Sequence, residues 1–145
     1  MANLEINGFD DLCEAFNRIK DIPDSITEEA LDGMAAVAFE KIKSEGENMN
    51  VRDPESGEHI LDKLNKNSKA KITDAGGYKL ITFTGKRRRG KKETRNAEIA
   101  FINEYGSRKM KARPFIGMAL QKNVDKIVRP GIDTVENWIE NEFGK

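Results

Sequence analysis

The apolar positions recur at helical spacing near both ends of the chain and change period in the middle. Phe9, Leu12, Cys13, Phe16 and Ile19 predict a short helix over 9–20, with Asp10 or Asp11 as its cap. Pro23 restrains the residue before it, so the stretch 21–24 ends that element. Ser25 and Glu28 fit a capping box. Behind them Ala30, Leu31, Met34, Val37, Ala38 and Ile42 form one apolar stripe, with acidic and basic residues filling the other faces. A helix from 25 to about 48 would be roughly 36 Å long at 1.5 Å per residue, with its stripe packed against a sheet. Gly33 is its weak point, at about 1 kcal/mol relative to Ala. Residues 46–69 are polar and turn-rich, and Ile60, Leu61 and Leu64 are spaced for one helical turn inside them. The remainder of that stretch reads as a mobile loop.

From residue 69 the period shortens. Residues 69–73 alternate, 74–77 are turn residues, and 78–84 are β-branched and aromatic, as in a strand. Residues 85–96 read as a charged loop. Residues 97–105 alternate again, with Ala97, Ile99, Phe101 and Tyr105 on one face and Glu98, Ala100, Ile102 and Glu104 on the other. Residues 106–113 connect to Pro114, which is suited to the first position of a helix. Phe115, Ile116, Met118, Ala119, Leu120, Val124 and Ile127 continue that helix, and Pro130–Gly131 kinks or breaks it. Ile132, Val135, Trp138, Ile139 and Phe143 make a last amphipathic segment. The predicted class is α+β, with a thin antiparallel sheet of about three strands packed against a long N-terminal helix and C-terminal helices. The organisation is one domain over 1–145: an N-terminal helical extension over 1–24, then a core over 25–145 with mobile loops near 49–68 and 85–96.

Composition sharpens this picture. The 145 residues are 37% hydrophobic and 34% charged, so the core is thin or is completed by a partner. Lys and Arg total 25, as do Asp and Glu, so no net field draws the whole chain to nucleic acid or to an acidic membrane. One Cys and one His exclude a disulfide framework and multi-His or Cys-based metal sites. The N-terminal residues lack the pattern of a secretory signal, and no apolar run reaches the roughly 20 residues of a membrane span. The reading is a soluble protein of a reducing compartment.

Little of the sequence speaks for catalysis or for a cofactor. His59 lies in a turn-rich acidic stretch with no marked nucleophile, and a solvated loop histidine is the default reading. Cys13 sits on an apolar face and reads as a small buried hydrophobe. No phosphate-binding glycine motif and no calcium-loop spacing occur. The loudest local signal is Lys86, Arg87, Arg88, Arg89, Lys91 and Lys92, six cations in seven residues, with Arg95 just after. Three readings stay open: a solvated loop, a docking loop for an acidic protein, and a contact to DNA phosphates. The absence of interleaved aromatics argues against stacking on single-stranded bases.

Residues 99–115 carry a resemblance. Tyr105–Gly106–Ser107 followed by Ala112–Arg113–Pro114–Phe115 is similar to the tail-component family of long-tailed double-stranded DNA phages. In that family a strand ends in an aromatic–Gly–small turn, and a short loop leads to Ala-Arg-Pro-Phe opening a helix. Residues 54–61 resemble the family's Pro-x-x-Thr-Gly-x-Leu segment, with Ser56 for Thr and altered spacing. The resemblance spans roughly 25–128 and implies a non-enzymatic assembly protein of the virion. It would complete the tail or join head to tail as a subunit of a homo-oligomeric ring, beside other head–tail or tail proteins. Location in the virion, after assembly in the host cytoplasm, is implied likewise. No cofactor and no membrane contact are expected, and non-specific DNA contact is the alternative. Physically the motif reads as structural. Gly106 allows a backbone angle closed to other residues, Pro114 presets the helix, and Phe115 inserts under the sheet. Arg113, ahead of a helix N-terminus, either has a carboxylate partner or is solvated. Deleting 86–92 is expected to spare the fold and impair joining.

Overall fold

A computed structural model describes residues 22–66, 68–74 and 76–144. The expected helix over 9–20, with Cys13, lies outside the described residues. The long apolar stripe forms helix α1 (Asp24–Asn48), whose buried positions Ala30, Ala35, Ala38, Ile42 and Gly46 face the rest of the chain. It begins at Pro23 without a side-chain cap, so the Ser25 capping box does not form. A single 3-10 turn follows (Leu61–Lys63), then β1 (Leu64–Asn65), β2 (Lys71–Thr73), β3 (Gly76–Tyr78), β4 (Thr82–Phe83), β5 (Lys86–Arg89) and β6 (Lys92–Arg95). Helices α2 (Asn96–Tyr105), α3 (Phe115–Lys122) and α4 (Val124–Phe143) complete the chain.

The class is α+β, and the strands form three separate antiparallel pairs, β1–β4, β2–β3 and β5–β6. Residues 97–105 are helical, where alternation suggested a strand. The buried positions there are Asn96, Ile99, Ala100 and Asn103, while Ala97, Phe101 and Tyr105 are exposed. Spacings of three and four satisfy a helix, and Ala97, Glu98, Ala100 and Glu104 favour one. A nine-residue window with this composition fits either period. Residues 85–96 also differ from expectation, since they hold the β5–β6 hairpin. Pro130 does not break α4, which runs through it. The break falls at Asn123, and α4 packs antiparallel on α1, with Pro130 against Gly33 and Gly131 against Met34. That contact offsets the cost of the missing hydrogen bond.

The core lies where α1 ends. Ile42, Val51, Ile60, Leu61, Leu64, Phe83, Ile99, Ala100, Phe115 and Ala119 form one buried cluster. Phe115 is fully buried and meets the Phe83 ring edge-on at 6.1 Å between centroids. Residues 49–68, read as a loop, contribute four members to this cluster, and the predicted helical turn is the 3-10 turn at Leu61. The stripe of α1 therefore packs chiefly on α4 and α3 rather than on a sheet.

Candidate functional site: a basic hairpin and the turn beside it

In a paired strand successive side chains point to opposite faces. The register of β5 with β6 sets Arg87 opposite Thr94, Arg88 opposite Glu93 and Arg89 opposite Lys92. Arg87 and Arg89 therefore point inward, and Lys86 and Arg88 outward. Arg87 donates to Glu58 Oε2 at 3.0 Å, to the His59 carbonyl at 3.2 Å and to Asn96 Oδ1 at 2.8 Å. Asn96 is fully buried and donates in turn to the Thr84 carbonyl. Arg89 sits 3.0 Å from Asp53 Oδ1 and 3.4 Å from Glu55. The Asp53 side chain is wholly buried. Burial alone would raise its carboxyl. The Glu55 amide, the Ser56 side chain and the Arg89 guanidinium outweigh burial and hold it below the ordinary carboxylate range.

The acidic turn 53–62 is thus the counter-charge of the inward cations. Two of the six cations in the run act as anchors of the fold, so deleting 86–92 would remove buried ion pairs along with surface charge. Lys86 lies 4.0 Å from Glu93, and Arg95 pairs with Glu98 at 3.0 Å. Among the described residues Arg88 reaches only the Gly90 carbonyl, at 3.2 Å. Among the described residues Arg88, Lys91 and Lys92 are exposed and have no ion pair.

The turn from α2 to α3 carries the other marked residues. Gly106 ends α2 at φ 79° and ψ 177°, a conformation that essentially only glycine adopts. A Cβ there would lie 2.8 Å from the Ala112 nitrogen. Ser107 and Met110 exchange main-chain hydrogen bonds, which close the loop. Among the described residues Arg113 has no carboxylate partner, and it is half-buried rather than fully solvated. Its Nη1 donates at 2.9 Å to the carbonyl of Asn50, just beyond the C-terminus of α1, where a cation is favoured. Pro114 precedes the first residue of α3 rather than opening it. Ala112 is exposed, so its side chain packs no core. Tyr105 is 69% exposed and touches the Phe101 ring at 4.7 Å, so its ring also lies outside the core.

Sequence reasoning missed two features. Glu104 accepts from the Ile116 and Gly117 amides at 2.8 and 2.9 Å, capping α3 from another helix. No local signal marks a cap twelve residues away. A groove of about 390 Å³ opens between β4, α2 and α3, walled by Ile81, Phe101, Tyr105, Ile116 and Leu120. A helical reading of 97–105 would have exposed Phe101 and Tyr105 as one outward stripe. His59 meets Arg87 through its carbonyl and pairs with Arg52 in an isolated bridge. Among the described residues, no three His, Cys, Asp or Glu side chains gather to hold a metal ion, and no helix is long and apolar enough to cross a membrane. Compared with known protein families, curated proteins and solved structures, the chain matches none of them.

Proposed function

We propose that this chain is a non-enzymatic assembly protein of a long-tailed double-stranded DNA phage. It completes the tail or joins head to tail as one subunit of a ring, and it works by binding alone. The observation that carries the reading is the turn from Tyr105 to Phe115. Of the residues that resemble the tail-component family, Gly106 ends the helix, Arg113 binds just beyond the α1 terminus and Phe115 lies in the core. The helix that leads into the turn stands where the family pattern has a strand, so the reading rests on the sequence of the turn itself. Phe101, Tyr105 and Leu120 are 63%, 69% and 40% exposed. Apolar surface of this kind suits a subunit completed by neighbours.

Removing the gene from the phage or prophage that encodes it tests the reading. Heads and tails should accumulate unjoined, or tails should stay unfinished. Normal yields of infectious particles would retire it. A second reading, non-specific DNA binding, is favoured by the outward cations Arg88, Lys91 and Lys92. Its signature is binding of random duplex DNA by single copies, with a steep loss of affinity as salt rises.

A further inference from the structure

The zero net charge conceals two oppositely charged ends. Helix α4 runs antiparallel to α1, since Pro130 lies on Gly33 and Lys122 pairs with Glu45 at 2.7 Å. The start of α1 is therefore level with the end of α4. Asp24, Glu28, Glu29, Glu136, Glu140 and Glu142 are exposed there, and none has an ion pair among the described residues. Helix α4 has no basic residue in its last turn, so Glu140 and Glu142 lie where the helix dipole disfavours an anion.

The opposite end is basic. Val51 and Asn50 follow the end of α1, Arg113 binds the Asn50 carbonyl, and Asp53 holds Arg89. The hairpin tip and the 107–112 loop therefore border one turn. Arg88, Lys91, Lys92, Arg108, Lys109 and Lys111 are exposed at this end and have no ion pair among the described residues. A 25-residue α1 separates the ends by about 37 Å at 1.5 Å per residue. That exceeds the Debye length of about 8 Å at physiological ionic strength, so neither end neutralises the other within one molecule.

We infer that the basic end of one copy docks on the acidic end of a second copy, head to tail. The inference rests on the ring reading and deepens it, since it names the two surfaces by which copies meet. A head-to-tail contact is heterologous, and it makes a ring where its rotation closes. Charge complementarity selects the second copy as occupant, because the charge without an ion pair among the described residues is mainly basic at one end and mainly acidic at the other.

Complementary reversals test this. One variant carries Arg88→Glu, Lys91→Glu and Lys92→Glu, and the other carries Glu136→Lys, Glu140→Lys and Glu142→Lys. All six positions are exposed and have no ion pair among the described residues, and mass is read by sedimentation. The wild-type chain should self-associate, about tenfold or more weaker between roughly 0.05 and 0.5 M salt. Each variant alone should stay single, because the reversed end then carries three of these charges of each sign and no longer attracts the other end. An equimolar mixture should regain mass, since the unaltered basic end of one variant then meets the unaltered acidic end of the other. That recovery also shows both variants to be folded. Association that survives in both variants, or a mixture that stays single, overturns the inference and leaves the ring reading to the gene deletion. A wild type single at every salt overturns it as well. A basic-end variant that loses only duplex DNA binding, with self-association intact, overturns it in favour of a DNA face.

Discussion

Arg89→Met removes one inward anchor of the basic hairpin and keeps most of its aliphatic stem. The Asp53 carboxylate then retains the Glu55 amide at 3.0 Å and loses the guanidinium 3.0 Å away. The Asp53 side chain has no exposure and that of Arg89 has 12%, so salt screens the pair little. Truncating one partner of a buried pair costs about 3–5 kcal/mol, because the remaining charge is uncompensated. The retained amide bond places this case near the lower bound, about 3 kcal/mol. At roughly 2–4 °C per kcal/mol for a domain near this size, the midpoint should fall by roughly 6–12 °C. Arg88→Met, one residue away on the outward face, should stay within about 0.5 kcal/mol. Thermal and urea unfolding followed by circular dichroism compare the two variants. Adding Asp53→Asn to Arg89→Met should recover part of the loss, since no buried charge is then left unpaired. Equal stability of Arg88→Met and Arg89→Met would refute the division of the run into inward and outward halves.

Three further outcomes follow from the same geometry. Gly106→Ala should cost about 1–3 kcal/mol, because its Cβ meets the Ala112 nitrogen in a conformation almost confined to glycine; urea midpoints measure it, and wild-type stability would contradict it. Glu104→Ala should cost about 0.5–2 kcal/mol by uncapping α3, and amide exchange should quicken first at Ile116 and Gly117. The folded Asp53 carboxyl titrates below its ordinary value. Its contribution is therefore complete above the unfolded carboxylate pKa of about 3.9 and fades as pH falls through the lower folded value. Acid titration of wild type should show this loss, and Asp53→Asn should lack it.

Helix α1 was legible because its apolar stripe holds one period over more than three turns, and Phe115 because an aromatic after Pro114 had one sensible destination. The hairpin was not legible. Its inward cations look like a solvated run until register pairs them with acids 29 and 36 residues away, Glu58 with Arg87 and Asp53 with Arg89. Helix α2 was misread because Ile99, Phe101 and Tyr105 satisfy a period of two over nine residues, while the deciding burial of Asn96 and Asn103 depends on tertiary partners. Asn96 meets Thr84 and Arg87, and Asn103 meets the Arg52 carbonyl. Buried asparagines of this kind carry no hydrophobic signal. Arg113 was placed by the end of a helix 63 residues back in the chain, a contact that local spacing does not reveal.

Electron cryomicroscopy of particles from the phage or prophage that encodes the chain reads its place directly. We expect a closed ring of copies at the head–tail junction or at the end of the tail, each presenting its basic hairpin to the acidic end of the next. Particles that are complete and infectious without any copy of the chain would contradict an assembly role.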